Sequence, residues 1–243
     1  MGKVFAITSG KGGVGKSTVA VGLGMAFCRN GEKVLLVDMD EGLRCLDLML
    51  GLDKSTVFDL SDILIGKEPE EAIYQCETEA GLHIIPAPAK QGMIDYFSFT
   101  SFTLKVAEMF DTVIFDFPAG INVPLYSCLP KGALFLTVAV PDPVSVRDAG
   151  AVSEALAEVN ISARLIINRF LQKQHRKYRF RNIDEIIDDS ALRLIGIIPE
   201  SDDLKFLSLK HNISRRSKAL KAFARIAARL DGEKLLLPKI KKI

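Results

Sequence analysis

Nine residues near the start of the chain have the types and spacing of a phosphate-binding loop. They satisfy the pattern G-x-x-x-x-G-K-[ST]. Glycine lets the backbone approach phosphate oxygens, and the N–H groups of such a loop and of the helix after it bind anions. Lys16 is expected to reach the β- and γ-phosphates, Ser17 to bind Mg²⁺ and Thr18 to face the α-phosphate. The predicted nucleotide-binding residues of the loop are Gly10, Lys11, Gly12, Gly13, Val14, Gly15, Lys16, Ser17 and Thr18.

A second lysine, Lys11, directly follows the first glycine of the loop. It lies too early in the pattern to be the usual phosphate lysine, which is Lys16. A second fixed ammonium group beside the phosphates suggests that a partner molecule binds there. The loop therefore predicts a nucleoside triphosphate site with Mg²⁺. Lys11 indicates which kind of nucleotide-binding protein this is.

Three aspartates follow apolar runs that are predicted to be strands. Asp38 and Asp40 follow one such run, and Asp116 follows another. Parallel sheets bind ligands at the carboxyl ends of their strands, so we expect these carboxylates at the same edge as the phosphate loop. Asp38 and Asp116 would then join Ser17 at the Mg²⁺ site, while Asp40 would orient the attacking water.

Strand and helix signals alternate along the chain, which predicts an α/β fold with one mainly parallel, twisted sheet and helices on both faces. Asn182 with Glu185 and the residue Ser214 are the predicted starts of two late helices, and Gly232 is the predicted stop of the second. The strands are expected at residues 3–8, 33–37, 82–85, 112–115, 133–140, 163–167 and 194–198. The main helices are expected at residues 17–29, 101–109, 145–159 and 214–230.

The composition fits a single globular domain over residues 1–232, followed by a short tail at 233–243. The chain has 243 residues, of which 48% are hydrophobic and 26% charged. We expect a cytoplasmic protein, because no apolar stretch approaches the ~18 residues of a membrane span and no signal peptide is visible. The four cysteines form no C-x-x-C pair and are interpreted as reduced structural thiols.

The charge is unevenly distributed, although the net charge is only +2. From His211 onward the chain has ten lysines and arginines and two acidic residues, a balance of +8 that leaves −6 for the rest. A basic segment on an acidic body favours an anionic surface such as lipid or nucleic acid. The alternative is a solvated helix face followed by a frayed tail.

Together these segments resemble the MinD/ParA family of phosphate-loop ATPases in the SIMIBI class, whose "deviant" Walker A loop has the same additional lysine. The similarity runs from about Lys3 to Leu230. The stretches that resemble its first switch, its second switch and its dimer-facing segment are residues 38–47, 116–121 and 141–148. The residues that resemble its adenine-side contacts are Asn168, Arg169, Pro199, Glu200 and Ser201.

The resemblance implies a Mg²⁺-dependent ATPase that dimerises face to face with ATP, with Lys11 and Gly12 at the interface. Lys11 of each chain would reach the phosphates of the other, and Asp148 would pair with Lys11 when the partner is absent. Lys11, Lys16 and Asp40 are the expected catalytic residues. The cofactors would be ATP and Mg²⁺, and hydrolysis to ADP and phosphate would be slow and stimulated by a partner.

The first-switch string favours the MinD branch, which implies a role in placing the division septum. In that branch the dimer binds membrane through a C-terminal helix, positions a division inhibitor and is released by an ATPase activator. The predicted membrane-contacting residues of the tail are Leu236, Leu237, Ile240 and Ile243. The tail is short, and Pro238 can only begin a helix. Two other departures from the pattern are Cys45, where asparagine is usual, and Asn122, where glutamate is common.

Two alternatives have the same catalytic core. One is a ParA-like ATPase that partitions DNA or cargo, for which the basic and aromatic run 176–181 is the candidate contact, although we do not expect nucleic-acid binding. The other is a MinD-like regulator of flagellar placement. A metal-cluster carrier usually needs a C-x-x-C motif, and a small-molecule kinase needs an acceptor site that does not stand out here.

Overall fold

The computed structural model describes residues 1–171 and 183–237. The strands are β1 (Lys3–Thr8), β2 (Val34–Asp38), β3 (Tyr74–Gln75), β4 (Leu82–Ile85), β5 (Thr112–Asp116), β6 (Leu134–Ala139), β7 (Ala163–Phe170) and β8 (Leu194–Pro199). The helices are α1 (Lys16–Arg29), α2 (Leu46–Leu50), α3 (Leu60–Leu64), α4 (Tyr96–Met109), α5 (Val123–Tyr126), α6 (Pro143–Glu158), α7 (Ile183–Ser190), α8 (Asp202–Lys205), α9 (Leu207–Lys210) and α10 (Lys218–Leu230). A 3-10 turn covers Pro69–Ala72.

The strands form one sheet in the order β3-β4-β2-β5-β1-β6-β7-β8. The two-residue strand β3 pairs antiparallel with β4, and the other neighbours are parallel. The mainly parallel sheet that was predicted is therefore confirmed. Because β2 and β5 run side by side in register, Asp38 lies opposite Asp116 at the carboxyl edge.

Both faces of the sheet are covered, so successive residues of a strand enter different cores. In β1, Phe5 and Ile7 pack with residues of α1 and α10, whereas Val4 and Ala6 pack with residues of α4 and α6. A third cluster lies between β7, β8, α6 and α7. Strands buried on both faces read as continuous apolar runs, which explains why the sequence predicted them well.

Two main helices, α4 and α10, start four or more residues away from the predicted positions. The helix expected at residue 101 begins at Tyr96, because the Asp95 side chain accepts a hydrogen bond from the Ser98 backbone N–H at 2.8 Å. The last helix was expected to be capped by Ser214, but its cap is Ser217, which accepts from the Ala219 backbone N–H at 3.2 Å. Gly232 follows that helix with a φ of 92°, as a helix stop should.

Several predicted features cannot be placed. Asn182 and the basic run 176–181 lie outside the described residues, as do Ile240 and Ile243 of the tail. Residues 233–237 are described and have neither helix nor strand. Within the described ranges, no helix has the length and apolarity that crossing a membrane requires.

The contact between α1 and α10 gives a test of the fold. A Cβ atom added to Gly22 would lie 2.2 Å from the ring of Phe223, which is fully buried. We expect Gly22→Ala to lower the free energy of unfolding by about 1–3 kcal/mol, because overpacking outweighs the gain in helix propensity. Urea unfolding would measure this change. Adding Phe223→Leu to that variant should recover part of the loss, and a Gly22→Ala protein more stable than wild type would contradict the packing argument.

Candidate nucleotide site

The phosphate loop connects the end of β1 to the start of α1. Gly13 and Gly15 have φ values of 76° and 91°, so the backbone turns through the left-handed region that glycine tolerates. No side chain caps α1, and its first turn has no acidic residue. No side-chain cap therefore competes with an anion for the N–H groups at the start of this helix.

Asn168 supports the loop from the end of β7. Its side-chain N–H donates to the carbonyl of Val14 at 2.8 Å, and its amide nitrogen would lie 2.5 Å from a Cβ at Gly15. Asn168 is only 2% exposed, yet its Oδ1 atom is buried without a hydrogen-bond partner. A buried acceptor of this kind needs a donor, which the exocyclic amino group of an adenine would provide.

The predicted adenine-side residues share one groove. Parallel pairing of β7 with β8 places Phe170 opposite Pro199 and brings the two strand ends together. The sequence missed the contribution of α8, for which the only signal was Ser201, two residues after the end of β8. The groove is lined by Thr18, Asn168, Arg169, Pro199, Glu200, Ser201, Leu204 and Lys205.

Asp116 and Ser17 form the side of the site that can hold a cation. Asp116 is 2% exposed, accepts a hydrogen bond from the Ser17 side chain and lies within electrostatic reach of Lys16. Its Oδ1 atom is buried without a partner. Among the described residues, no group of three or more His, Cys, Asp or Glu side chains could hold a metal ion.

Asp38 holds the backbone of the turn that follows it. Its Oδ1 accepts from the backbone N–H of Asp40 at 3.0 Å, and its Oδ2 accepts from those of Cys45 and Leu46 at 2.9 and 3.1 Å. Both oxygens are therefore occupied by the chain itself. Asp38 therefore anchors the turn that contains Asp40, and its place at the Mg²⁺ site beside Ser17 and Asp116 stays a prediction.

The two buried carboxyl groups influence each other. Burial and, after it, the charge of Asp38 raise the pKa of Asp116 to about 8, against the lowering effect of the Ser17 hydrogen bond and the Lys16 charge. Burial likewise raises the pKa of Asp38 to about 6, although its three backbone hydrogen bonds act in the opposite direction. Without a cation, Asp116 thus holds a proton at neutral pH, and a divalent ion would displace it.

The residues of both predicted switches lie against this site. Asp40 is half-buried, and its charge contributes to the raised pKa of Asp116, which places it near the cation side. After Asp116, the second switch is fastened by backbone bonds from Phe117 to Ile7 at 3.1 Å and from Gly120 to Ser9 at 2.9 Å. These bonds hold the segment next to the phosphate loop.

Lys11 has a different partner from the one predicted. Its ammonium group lies 3.5 Å from the carboxylate of Asp142, whereas Asp148 pairs with Arg147 at 3.0 Å. Asp148 still contacts the loop, because a Cβ at Gly10 would lie 2.4 Å from its backbone oxygen. The side chain of Lys11 is 42% exposed, so the lysine rests at the surface beside the site.

The two departures noted in the sequence have local structural functions. Cys45 precedes α2 and anchors the turn through its backbone N–H, while its thiol lies only within 4.0 Å of the Leu43 carbonyl. Asn122 caps α5, accepting from the Leu125 backbone N–H at 3.2 Å.

The loop, the paired strand-end aspartates and the sheet order define a phosphate-loop nucleotide-binding domain. Residues 5–214 match the CobQ/CobB/MinD/ParA nucleotide-binding domain, and the chain belongs to that family. Within the family it is MinD-like. It is 34% identical over 242 residues to septum site-determining protein MinD of Thermotoga maritima, covering 96% of this chain and 89% of the relative.

Solved structures agree with this assignment. The chain resembles one from the MinC:MinD cell division protein complex of Aquifex aeolicus, with a TM-score of 0.87, 32% identity and coverage of 98% and 99%. It also resembles MinD of Pyrococcus horikoshii, solved with Mg-ADP, with a TM-score of 0.83, 27% identity and coverage of 95% and 96%. The predicted family and fold class are both confirmed.

The raised pKa of Asp116 predicts how the ligand-free protein responds to pH. The native state keeps this proton up to about pH 8, whereas an unfolded aspartate loses it near pH 4. Between these values the native state binds more protons, so the free energy of unfolding falls as pH rises, by ~1.4 kcal/mol per pH unit for one proton. Asp116→Asn should remove this contribution.

Chemical denaturation in EDTA at pH 5, 6.5 and 8 would measure the slope. The exposed Asp53 provides a matched control, since Asp53→Asn should leave the slope of the wild type unchanged. If Asp116→Asn has the same pH dependence as the wild type, Asp116 does not carry the buried proton.

Proposed function

We propose that this protein is a Mg²⁺-dependent, MinD-like cell division ATPase that dimerises with ATP and helps to place the division septum. The observation that carries the proposal is the juxtaposition of Lys16, Ser17 and Asp116, where one carboxylate oxygen is buried without a partner. Such a group is suited to a cation that accompanies a nucleoside triphosphate. The likeness to MinD proteins selects ATP and the cell division function.

The chain's own groups divide the work of hydrolysing ATP to ADP and phosphate. Lys16 and the amides of the loop would hold the phosphates, and Asp40 would orient the attacking water. Mg²⁺, held by Ser17 and Asp116, would neutralise negative charge on the β- and γ-phosphates. Lys11 would add positive charge where the transition state spreads negative charge.

In the dimer, Lys11 would act on the phosphates of the opposite chain. Its resting contact with Asp142 is partly exposed, and exposed pairs contribute only ~0–1 kcal/mol, so little is lost when Lys11 moves. Gly12 faces open space apart from Ala119 at 4.0 Å, which leaves room for a second chain. Hydrolysis would be slow until a partner protein stimulates it.

The tail would attach the ATP-bound dimer to the cytoplasmic face of the membrane. Leu235, Leu236 and Leu237 are all exposed, and Leu236 is 93% exposed. One tail would bind weakly, whereas a dimer presents two and gains from avidity. By analogy with the Aquifex MinC:MinD complex, one protein partner would be a MinC-like protein. The family resemblance implies that the partners include a division inhibitor and an ATPase activator.

Substitution of the two loop lysines tests the division of their roles. Lys16→Ala should abolish nucleotide binding, because it removes the ammonium group from the β- and γ-phosphates. Lys11→Ala should preserve binding of a fluorescent ATP analogue and remove dimer-dependent hydrolysis. Size-exclusion chromatography with ATP and Mg²⁺, beside a phosphate-release assay, would measure both effects. A wild-type chain that stays monomeric with ATP and Mg²⁺ would argue against the trans role of Lys11.

Co-sedimentation with anionic liposomes tests the tail. We expect more protein to sediment with ATP than with ADP, and we expect deletion of residues 234–243 to remove that difference. Neutral liposomes are the control for the charge contribution of the tail lysines. Equal sedimentation with ATP and ADP, or no effect of the deletion, would sink the membrane proposal while leaving the ATPase proposal intact.

A further inference from the structure

The carboxylate of Glu41 accepts three consecutive backbone N–H groups from a distant loop. Its Oε1 accepts from Met93 at 2.8 Å and from Ile94 at 3.1 Å, and its Oε2 accepts from Gly92 at 3.1 Å. Hydrogen bonds to an ionised group are among the stronger ones in proteins. One side chain therefore joins segments that are 51 to 53 residues apart.

Glu41 directly follows Asp40, and both lie in a turn that is costly to form. Within this turn Gly42 and Arg44 have φ values of 81° and 39°, and the second is in the left-handed region that side chains rarely adopt. On the inner side, the carboxylate of Asp38 holds the turn. On the outer side, the turn is held by the hydrogen bonds of Glu41 and by a hydrogen bond from the Gly42 N–H to the Pro88 carbonyl at 2.9 Å.

The loop that Glu41 grips is itself fixed to the core. The Ala89 N–H donates to the Asp59 carboxylate at 3.2 Å, and Asp95 caps α4 directly after the gripped amides. Helix α4 packs on β5 through Phe99 and Phe115, whose ring centroids are 5.9 Å apart. Strand β5 ends at Asp116. The loop that Glu41 contacts and the cation side of the site are therefore parts of one packed unit.

We propose that Glu41 is a positioning residue for hydrolysis, which acts through Asp40 by holding the turn at a fixed distance from the phosphates. This inference rests on the proposed ATPase function. Displacing a catalytic group by about 1 Å can cost roughly a hundredfold in rate, whereas phosphate binding depends on the loop on the other side of the site. Glu41 should therefore affect the rate of the chemical step and leave nucleotide affinity almost unchanged.

The test compares single-turnover ATP hydrolysis and nucleotide binding in variants of the full chain. Glu41→Ala should lower the hydrolysis rate roughly ten- to a hundredfold, with KM and the Kd of a fluorescent ATP analogue within about twofold of wild type. Glu41→Gln keeps one oxygen that can accept some of the three backbone hydrogen bonds. The hydrolysis rate of this variant should therefore lie between those of Glu41→Ala and the wild type. Glu154→Ala, on the exposed face of α6, is the matched control and should behave as wild type.

A double-mutant cycle with Asp40→Asn identifies the route of the effect. If Glu41 acts through Asp40, adding Glu41→Ala to Asp40→Asn should cause no further loss of rate. An additional loss of the full size, or a Glu41→Ala protein as active as wild type, would overturn the inference while the ATPase proposal stands. A loss of nucleotide affinity equal to the loss of rate would also overturn it. If Glu41→Ala does not fold, Glu41→Gln decides by the same criteria, and an inactive wild type overturns the ATPase proposal and this inference together.

Discussion

The burial of two facing carboxyl groups at the carboxyl edge of the sheet is the constraint on which the site depends. The register of β2 with β5 sets Asp38 opposite Asp116, and both are almost fully removed from water. Charging two such groups is unfavourable in a dry environment. The fold compensates them differently, because Asp38 receives three backbone N–H groups whereas Asp116 receives Ser17 and the nearby charge of Lys16. The unpaired oxygen of Asp116 is the part of this arrangement that a bound cation would complete.

This constraint connects the chemistry of the site to the two switch segments that the family resemblance implies. The first switch begins at Asp38, whose carboxylate accepts hydrogen bonds from its backbone, and the second begins at Asp116. A cation that changed the charge at this edge would therefore act on both switches at Asp38 and Asp116, where they begin. The hydrogen bonds of Glu41 extend the connection outward, since they join the first switch to the loop before α4. The charge at the two buried aspartates and the position of the loop before α4 are thus linked through the first switch.

The sequence predicted those features that depend on a local pattern. The phosphate loop is contiguous, and strands buried on both faces are readable as apolar runs, so β1, α1 and the aspartate-ended strands were placed well. The choice between Ser214 and Ser217 as a helix cap depends on how α10 packs on α1, and a local motif cannot specify that. Short helices such as α8 and the two-residue strand β3 have too few residues for a periodic signal.

Side-chain partners were the hardest to predict, for a related reason. Two acidic residues near the start of α6, Asp142 and Asp148, were close enough in sequence to be exchanged, and only the packed helix shows that the first meets Lys11. The distinction matters for the proposed dimer. Asp142 also caps α6, accepting from the N–H groups of Val144 and Ser145, so its carboxylate keeps two donors when Lys11 leaves. When Lys11 leaves, no buried charge is left without a partner. The monomer can therefore hold Lys11 near the phosphates while the lysine stays free to reach the site of a second chain.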